Sequence, residues 1–325
     1  DSGSSRVEIH RRPIGVVGAI CPWNFPVSTS IGKICDALVS GNAVLVKPSP
    51  HTPLTMCRIG ELWREIVPPG LVQVIPGGDD VGSAIVTCPG VSKISFTGSI
   101  RAGKMIQAAC AQDMTRTTLE LGGNDAAIIC KDVNLRSVAP KIFRGAMYNS
   151  GQVCIAIKRV FVHESQYDEL CDLLVLEAKK AKFGDGMDAG VQYGPLCNQR
   201  QLAIVSELVD DARRRGAEVL VGGQHIGPGY LYAPTVIKGV DDSFRIVKEE
   251  QFGPVIPVLS YTTEEEAVER ANGSRFGLGG SVWSADTAYA ARLAGQLECG
   301  TAWVNQHMSG APGAPFGGFK ESGIG

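Results

Sequence analysis

Cys154 has the most reactive side chain in a defined setting. It follows Gly151-Gln152-Val153 and precedes the apolar Ile155-Ala156-Ile157. A thiolate is a soft nucleophile that forms and releases acyl groups, yet a free cysteine is more often a small core residue. Cys154 alone leaves both readings open. Ten cysteines occur, at 21, 35, 57, 88, 110, 130, 154, 171, 197 and 299, and no two form a C-x-x-C pair. The spacing therefore encodes no metal site. Nearly all of the others, such as Cys35 in Lys33-Ile34-Cys35 and Cys130 in Ile128-Ile129-Cys130, read as reduced core residues. Glu120 stands between Leu119 and Leu121, just before Gly122-Gly123. It is either a strand residue facing water or a carboxylate placed as a base, since partial burial raises a Glu pKa toward neutrality. Asn24, before Phe25-Pro26, suits a helix cap with proline in the first turn. A cysteine hydrolase would need a histidine partner, and the five histidines (10, 51, 163, 225 and 307) stand in no recognisable partner motif.

Such residues need a scaffold, and strand-like and helix-like segments alternate along the whole chain. That pattern predicts an α/β fold with a largely parallel sheet. Strands are expected at 14–20, 43–46, 72–75, 94–96, 126–129, 160–162, 219–221, 255–259 and 281–283. Helices are expected at 28–39, 53–66, 102–111, 135–148, 165–181, 200–214, 263–271 and 285–297. A chain of 325 residues suggests two domains, and Leu121-Gly122-Gly123 marks the expected junction. Gly98-Ser99-Ile100-Arg101-Ala102-Gly103 follows a strand and opens a helix, a setting suited to a phosphate at the helix N-terminus.

With 31 basic and 33 acidic residues, the net charge is −2. No basic face stands out, which argues against nucleic acid or an anionic membrane as partner. No apolar run reaches the ~18–20 residues of a membrane span. The N-terminus lacks a signal-peptide pattern and does not start with Met.

Seven segments together resemble the aldehyde dehydrogenase superfamily. In order they are Pro22-Trp23-Asn24-Phe25-Pro26, Lys47-Pro48-Ser49-Pro50, Phe96-Thr97-Gly98-Ser99 and Leu119-Glu120-Leu121-Gly122-Gly123-Asn124. Gly151-Gln152-Val153-Cys154, Glu249-Glu250-Gln251-Phe252-Gly253-Pro254 and Pro315-Phe316-Gly317-Gly318-Phe319-Lys320 follow. The resemblance implies an NAD(P)-dependent, hydrolytic aldehyde dehydrogenase with two doubly wound α/β domains and the remnant of an oligomerisation arm. On it, Cys154 forms the thiohemiacetal and thioester, Glu120 activates the hydrolytic water, and Asn24 donates to the oxyanion with the Cys154 N–H. Trp23, Gly98, Ser99 and Gly103 serve the cofactor phosphates and Lys47 the adenosine ribose. Glu250 holds the nicotinamide ribose hydroxyls with Phe252 packing beside them, and Leu121 is a further cofactor-binding residue. Residue by residue, Lys47 could equally be a solvated strand-end lysine and Glu250 an exposed loop acid. The implied division is 1–13 for an oligomerisation strand, 14–122 for a dinucleotide-binding domain and 123–325 for a catalytic domain. No metal is implied.

Many NAD-specific relatives carry Glu three residues after the lysine, where Pro50 stands here. NAD use with NADP tolerated is therefore expected, because the 2′-phosphate would meet no fixed negative charge. Thr29 and Gly32 are three apart and share a helix face, and with His307, Met308 and Phe316 they are implied to line the aldehyde pocket. Small residues at 29 and 32 suggest room for an aromatic or branched aldehyde. The resemblance also implies a longer natural chain at both ends, homo-oligomeric and cytoplasmic unless an upstream signal directs it elsewhere. The 325-residue chain is accordingly expected to expose apolar surface and a strand edge and to associate irregularly.

Overall fold

The computed structural model describes residues 5–311 and 313–325. The chain divides into two compact units, Asp1–Leu119 and Glu120–Gly325. In the first, β1 (Val16–Ile20), α1 (Pro26–Val39), β2 (Ala43–Lys47), α2 (Leu54–Trp63), β3 (Val72–Val74), α3 (Asp79–Val86), β4 (Val91–Thr97) and α4 (Ile100–Cys110) alternate, and β5 (Arg116–Glu120) ends the series. The strand order is β5-β4-β1-β2-β3. The chain thus steps outward from β1 on one side and then reverses to the other. Open α/β sheets bind ligands beyond the carboxyl ends of the strands at such a reversal. Register aligns those ends, with Ile20 opposite Lys47 on one side and Phe96 on the other.

Pro26 occupies the first helical position of α1 behind Phe25, which makes no side-chain cap. The N-cap position of α1 thus falls on Phe25, one residue after Asn24. The buried stripe of α1 is Ser30, Ile34 and Ala37, which turns Cys35 about 100° away toward solvent. Cys35 and Cys88 are exposed and only Cys21, Cys110, Cys130 and Cys171 are fully buried. The expectation of core cysteines fails at these two positions: Cys35 sits on the solvent face of α1, and Cys88 lies in the loop after α3. Residues 5–14 form no strand, and Val7 and Ile9 are exposed. Residues 1–4 of the expected arm lie outside the described residues.

The second unit contains β6 (Asp125–Ile129), α5 (Leu135–Met147), β7 (Ile157–His163), α6 (Tyr167–Lys180), α7 (Gln199–Arg214), β8 (Glu218–Val221) and β9 (Thr235–Lys238). There follow α8 (Arg245–Lys248), β10 (Val255–Tyr261), α9 (Glu264–Asn272), β11 (Phe276–Gly277), β12 (Gly279–Trp283), α10 (Thr287–Ala294), β13 (Thr301–Val304) and β14 (Phe319–Lys320). The sheet order is β13-β12-β6-β7-β10-β9-β8, parallel except between β8 and β9. Central strands buried on both faces read as unbroken apolar runs, and the two-residue period divides them. Ala126 and Ile128 of β6 pack with Val205 and Leu208 of α7 and Leu293 of α10. Ala127 and Ile129 pack with Ile142 of α5 and Leu170 of α6. Side-chain caps set several helix starts, worth about 1 kcal/mol each. Asn134, Asn198, Thr263 and Asp286 cap α5, α7, α9 and α10. Among the described residues no helix is long and apolar enough to cross a membrane.

Candidate active site

In the second unit Cys154 lies on the segment between α5 and β7, partly buried. A 3-10 turn, Tyr148–Gly151, leads into it with Asn149 and Ser150 in the left-handed region. Gly151 is required there, since its φ is +74° and a Cβ would strike the Gly253 carbonyl. Gln152 is buried and spends its amide on the Asn149 carbonyl (3.1 Å), the Pro195 carbonyl (3.3 Å) and the Cys197 N–H (2.8 Å). Lys158 Nζ donates to the carbonyls of Val153 (2.7 Å) and Cys154 (2.8 Å). His307 Nε2–H donates to the Ile155 carbonyl at 2.8 Å, which fixes that tautomer. These bonds hold the Cys154 segment from both sides, as a preorganised site requires.

Glu120 ends β5, and the turn after it passes directly against that segment. A Cβ on Gly123 would collide with the Cys154 carbonyl, and one on Gly122 with the Glu250 carboxylate. Gly123 is thus demanded by close approach of backbone to backbone, whereas a side chain at 122 would have to displace the Glu250 carboxylate; the turn brings Glu120 close to the cysteine segment. Leu121 is buried, and its N–H donates to the Ser322 carbonyl at 2.9 Å.

Glu250 is no exposed loop acid. Its Oε1 accepts the Gly123 N–H at 3.1 Å and pairs with Lys158 at 3.4 Å. Burial pushes its carboxyl upward, opposed by Lys158. Both contacts fall on Oε1, so Oε2 has no hydrogen bond among the described residues. Phe252 sits beyond it with φ 50°, its ring centroid 6.0 Å from Lys158 Nζ.

Sequence reasoning missed Lys158, Arg159 and Asp125. The available signal was two adjacent cations inside an apolar run, which must be buried and therefore paired. Arg159 caps backbone carbonyls at Asn124 (2.9 Å) and Ala271 (3.0 Å). Asp125 accepts the Gly279 N–H at 3.1 Å, and burial raises its carboxyl to about 7. His307 lies 3.7 Å from Asp125, but burial lowers its pKa to about 3, so the ring is neutral and the contact is no ion pair. With its pKa lowered to about 3, His307 is too weak a base to deprotonate Cys154, which weakens the hydrolase reading.

Burial raises the Cys154 thiol to about 11, and Lys158 is the chief influence opposing that rise. Below that pKa each pH unit gives about ten times more thiolate. Alkylation of Cys154 by iodoacetamide is therefore expected to accelerate steadily from pH 7 to 10. Lys158→Met should slow it about tenfold at fixed pH, with Lys158→Arg restoring part of the rate. A profile unmoved by Lys158→Met would remove Lys158 from the electrostatics of the thiol.

The first unit carries the other expected residues. Trp23 and Asn24 follow β1, Lys47 ends β2, and Gly98 and Ser99 follow β4. Lys47 is only 4% exposed, so it is not a solvated lysine. Its one hydrogen bond among the described residues goes to the Pro48 carbonyl at 3.3 Å. A buried ammonium with donors to spare fits a diol ligand. Desolvation lowers its pKa, and Asp79 and Asp80 at the start of α3 oppose that. The expectation of no fixed negative charge near Lys47 is thus corrected. Ser99 caps α4 by accepting the Ala102 N–H at 3.3 Å, and Gly103 is buried within that helix. No acidic residue stands in its first turn, which suits a phosphate. Thr29 and Gly32 both lie on α1, with open space beside Gly32. In the second unit Phe316 is half exposed.

The sequence model of the aldehyde dehydrogenase family matches residues 2–325. Human retinaldehyde dehydrogenase 3 is 42% identical over 96% of this chain and 62% of its own length. Geranial dehydrogenase of Castellaniella defragrans is 41% identical over 98% of this chain and 66% of its own. An aldehyde dehydrogenase from Bacillus cereus, solved as an NAD+ complex, superposes with a TM-score of 0.95 at 40% identity, covering 97% of this chain and 65% of that one. The chain thus spans about two thirds of the length of these relatives.

Proposed function

The chain belongs to the aldehyde dehydrogenase family, and on that premise we propose that it oxidises an aldehyde to a carboxylic acid while reducing a nicotinamide dinucleotide. The observation that carries this reading is the Cys154 segment, held by Lys158 and His307, with the Glu120 turn packed against its carbonyl. The Cys154 thiolate adds to the aldehyde carbon. The Asn24 amide and the Cys154 N–H are assigned to the oxyanion, the part of the reaction where preorganised donors contribute most. A dinucleotide, when bound, would supply the two-electron acceptor that oxidation of the adduct requires. Glu120 then accepts a proton from water, the water oxygen attacks the thioester, the C–S bond breaks, and the acid leaves with the thiolate restored.

Lys47 is assigned to the adenosine ribose hydroxyls, Trp23, Gly98, Ser99 and Gly103 to the phosphates, and Glu250 through Oε2, with Leu121 and Phe252, to the nicotinamide end. The unspent donors of Lys47 and the unused Glu250 oxygen support these roles. The reading extends to a homo-oligomeric, cytoplasmic full-length protein, which light scattering and cell fractionation would test.

The test of function is absorbance of reduced dinucleotide over a panel of aldehydes with NAD and with NADP. No reduction with any aldehyde overturns the proposal. Asp79 and Asp80 favour NAD, because a 2′-phosphate near Lys47 would face their charge. Replacing both by Asn should narrow the NAD:NADP ratio of kcat/KM about tenfold, and Pro50→Glu should widen it. A ratio indifferent to both changes would exclude this electrostatic account.

A further inference from the structure

The second unit holds a cleft of about 490 Å³ lined by Lys141, Arg144, Tyr148, Asn305, His307 and Met308, among others. One wall is a stripe at helical spacing, Lys141 and Arg144 on α5 with Tyr148 one turn further on, where the 3-10 turn before Cys154 begins. The other wall is the loop after β13, which is rigidly held. Ser284 N–H donates to Asn305 Oδ1 (3.0 Å), Asn305 Nδ2 to the Ser284 carbonyl (2.9 Å), and Trp303 Nε1 to the Ser309 carbonyl (2.8 Å). His307 belongs to the cleft lining and also holds the residue after Cys154. The cleft therefore abuts the nucleophile segment. Two cations line it and no acidic side chain does.

We propose that this cleft admits aldehydes bearing an anionic group at the end remote from the carbonyl, with Lys141 and Arg144 holding that group. The inference rests on the oxidation reading above. Lys141 and Arg144 are exposed to solvent, yet both line the cleft opposite the held Asn305–Met308 loop, whose lining also brings the apolar Trp283 and Met308. A guanidinium there can recognise carboxylate or phosphate through paired donors. A carboxylate and a phosphate share this chemistry, and the test separates them.

The experiment compares kcat/KM for matched pairs with the 325-residue chain and NAD: 4-oxobutanoate against butanal, and glyceraldehyde 3-phosphate against glyceraldehyde, with geranial as a long apolar aldehyde. At least one anionic member should exceed its neutral partner about tenfold, and the pair showing this identifies the group. Raising salt should erode the preference. Lys141→Gln with Arg144→Gln should cut the anion:neutral ratio about tenfold, Arg144→Lys less. A preference for the neutral members or for geranial, or a ratio unchanged in the double variant, overturns the inference while leaving aldehyde oxidation standing. No turnover of any aldehyde would fell the oxidation reading and this one with it.

Discussion

Cys154→Ala is expected to abolish aldehyde oxidation, by ~10⁴-fold or more, while dinucleotide binding is retained. The thiol forms the only covalent bond to substrate in the proposed sequence, and no neighbouring group replaces it. His307 is neutral and its Nε2–H is committed to the Ile155 carbonyl. The segment should keep its shape without the sulfur, since Gln152, Lys158 and His307 hold it through backbone carbonyls and N–H groups. Dinucleotide binding, followed by fluorescence or calorimetry, therefore separates loss of chemistry from loss of fold. Two other cysteines serve as controls with different expected outcomes. Cys130 is 2% exposed in the second core, so Cys130→Ser should lower stability by about 1–3 kcal/mol. Cys35 is exposed, so Cys35→Ser should change neither stability nor activity. Full activity in Cys154→Ala would eliminate the covalent mechanism.

Glu120→Gln should behave differently, because it leaves the thiol intact. Acylation proceeds once, one dinucleotide per site is reduced, and turnover then slows by ~10²–10⁴-fold as hydrolysis loses its base. The substitution preserves shape, so the Gly122-Gly123 turn against Glu250 and Cys154 is not disturbed. Stopped-flow absorbance would show a burst followed by a slow steady state, and mass spectrometry would show the acyl adduct on Cys154. An unaltered steady-state rate would exclude Glu120 as the base. Loss of the burst itself would move its role to the acylation half.

Much of this protein is determined locally. The apolar runs within β1, β2, β6, β7 and β10 announce buried parallel strands, because a strand covered on both faces is largely apolar. The Gly122-Gly123 turn and the Phe25-Pro26 helix start are likewise legible, since backbone geometry restricts which residues can stand there. The motifs around Cys154, Glu120 and Asn24 identify the family because each combines a reactive side chain with the residues that shape its backbone. Other elements are weakly signalled. α3, β5, β9 and β13 have short or mixed sequences, stabilised by neighbours rather than by their own pattern.

Only the tertiary structure decided the rest. Whether Cys35 is core depends on which face of α1 meets the sheet. Whether Lys47 and Glu250 are solvated depends on elements distant in sequence that cover them. The proximity of Asp79 and Asp80 to Lys47 follows from α3 lying beside the Lys47 side chain, which passes Gly82 of that helix. Lys158 acquires its role because, second in β7, it reaches the Val153 and Cys154 carbonyls and a carboxylate 92 residues away in the chain. Burial, charge pairing and close backbone approach are properties of the assembled fold, and a linear sequence states them only where a glycine, a proline or a misplaced charge betrays them.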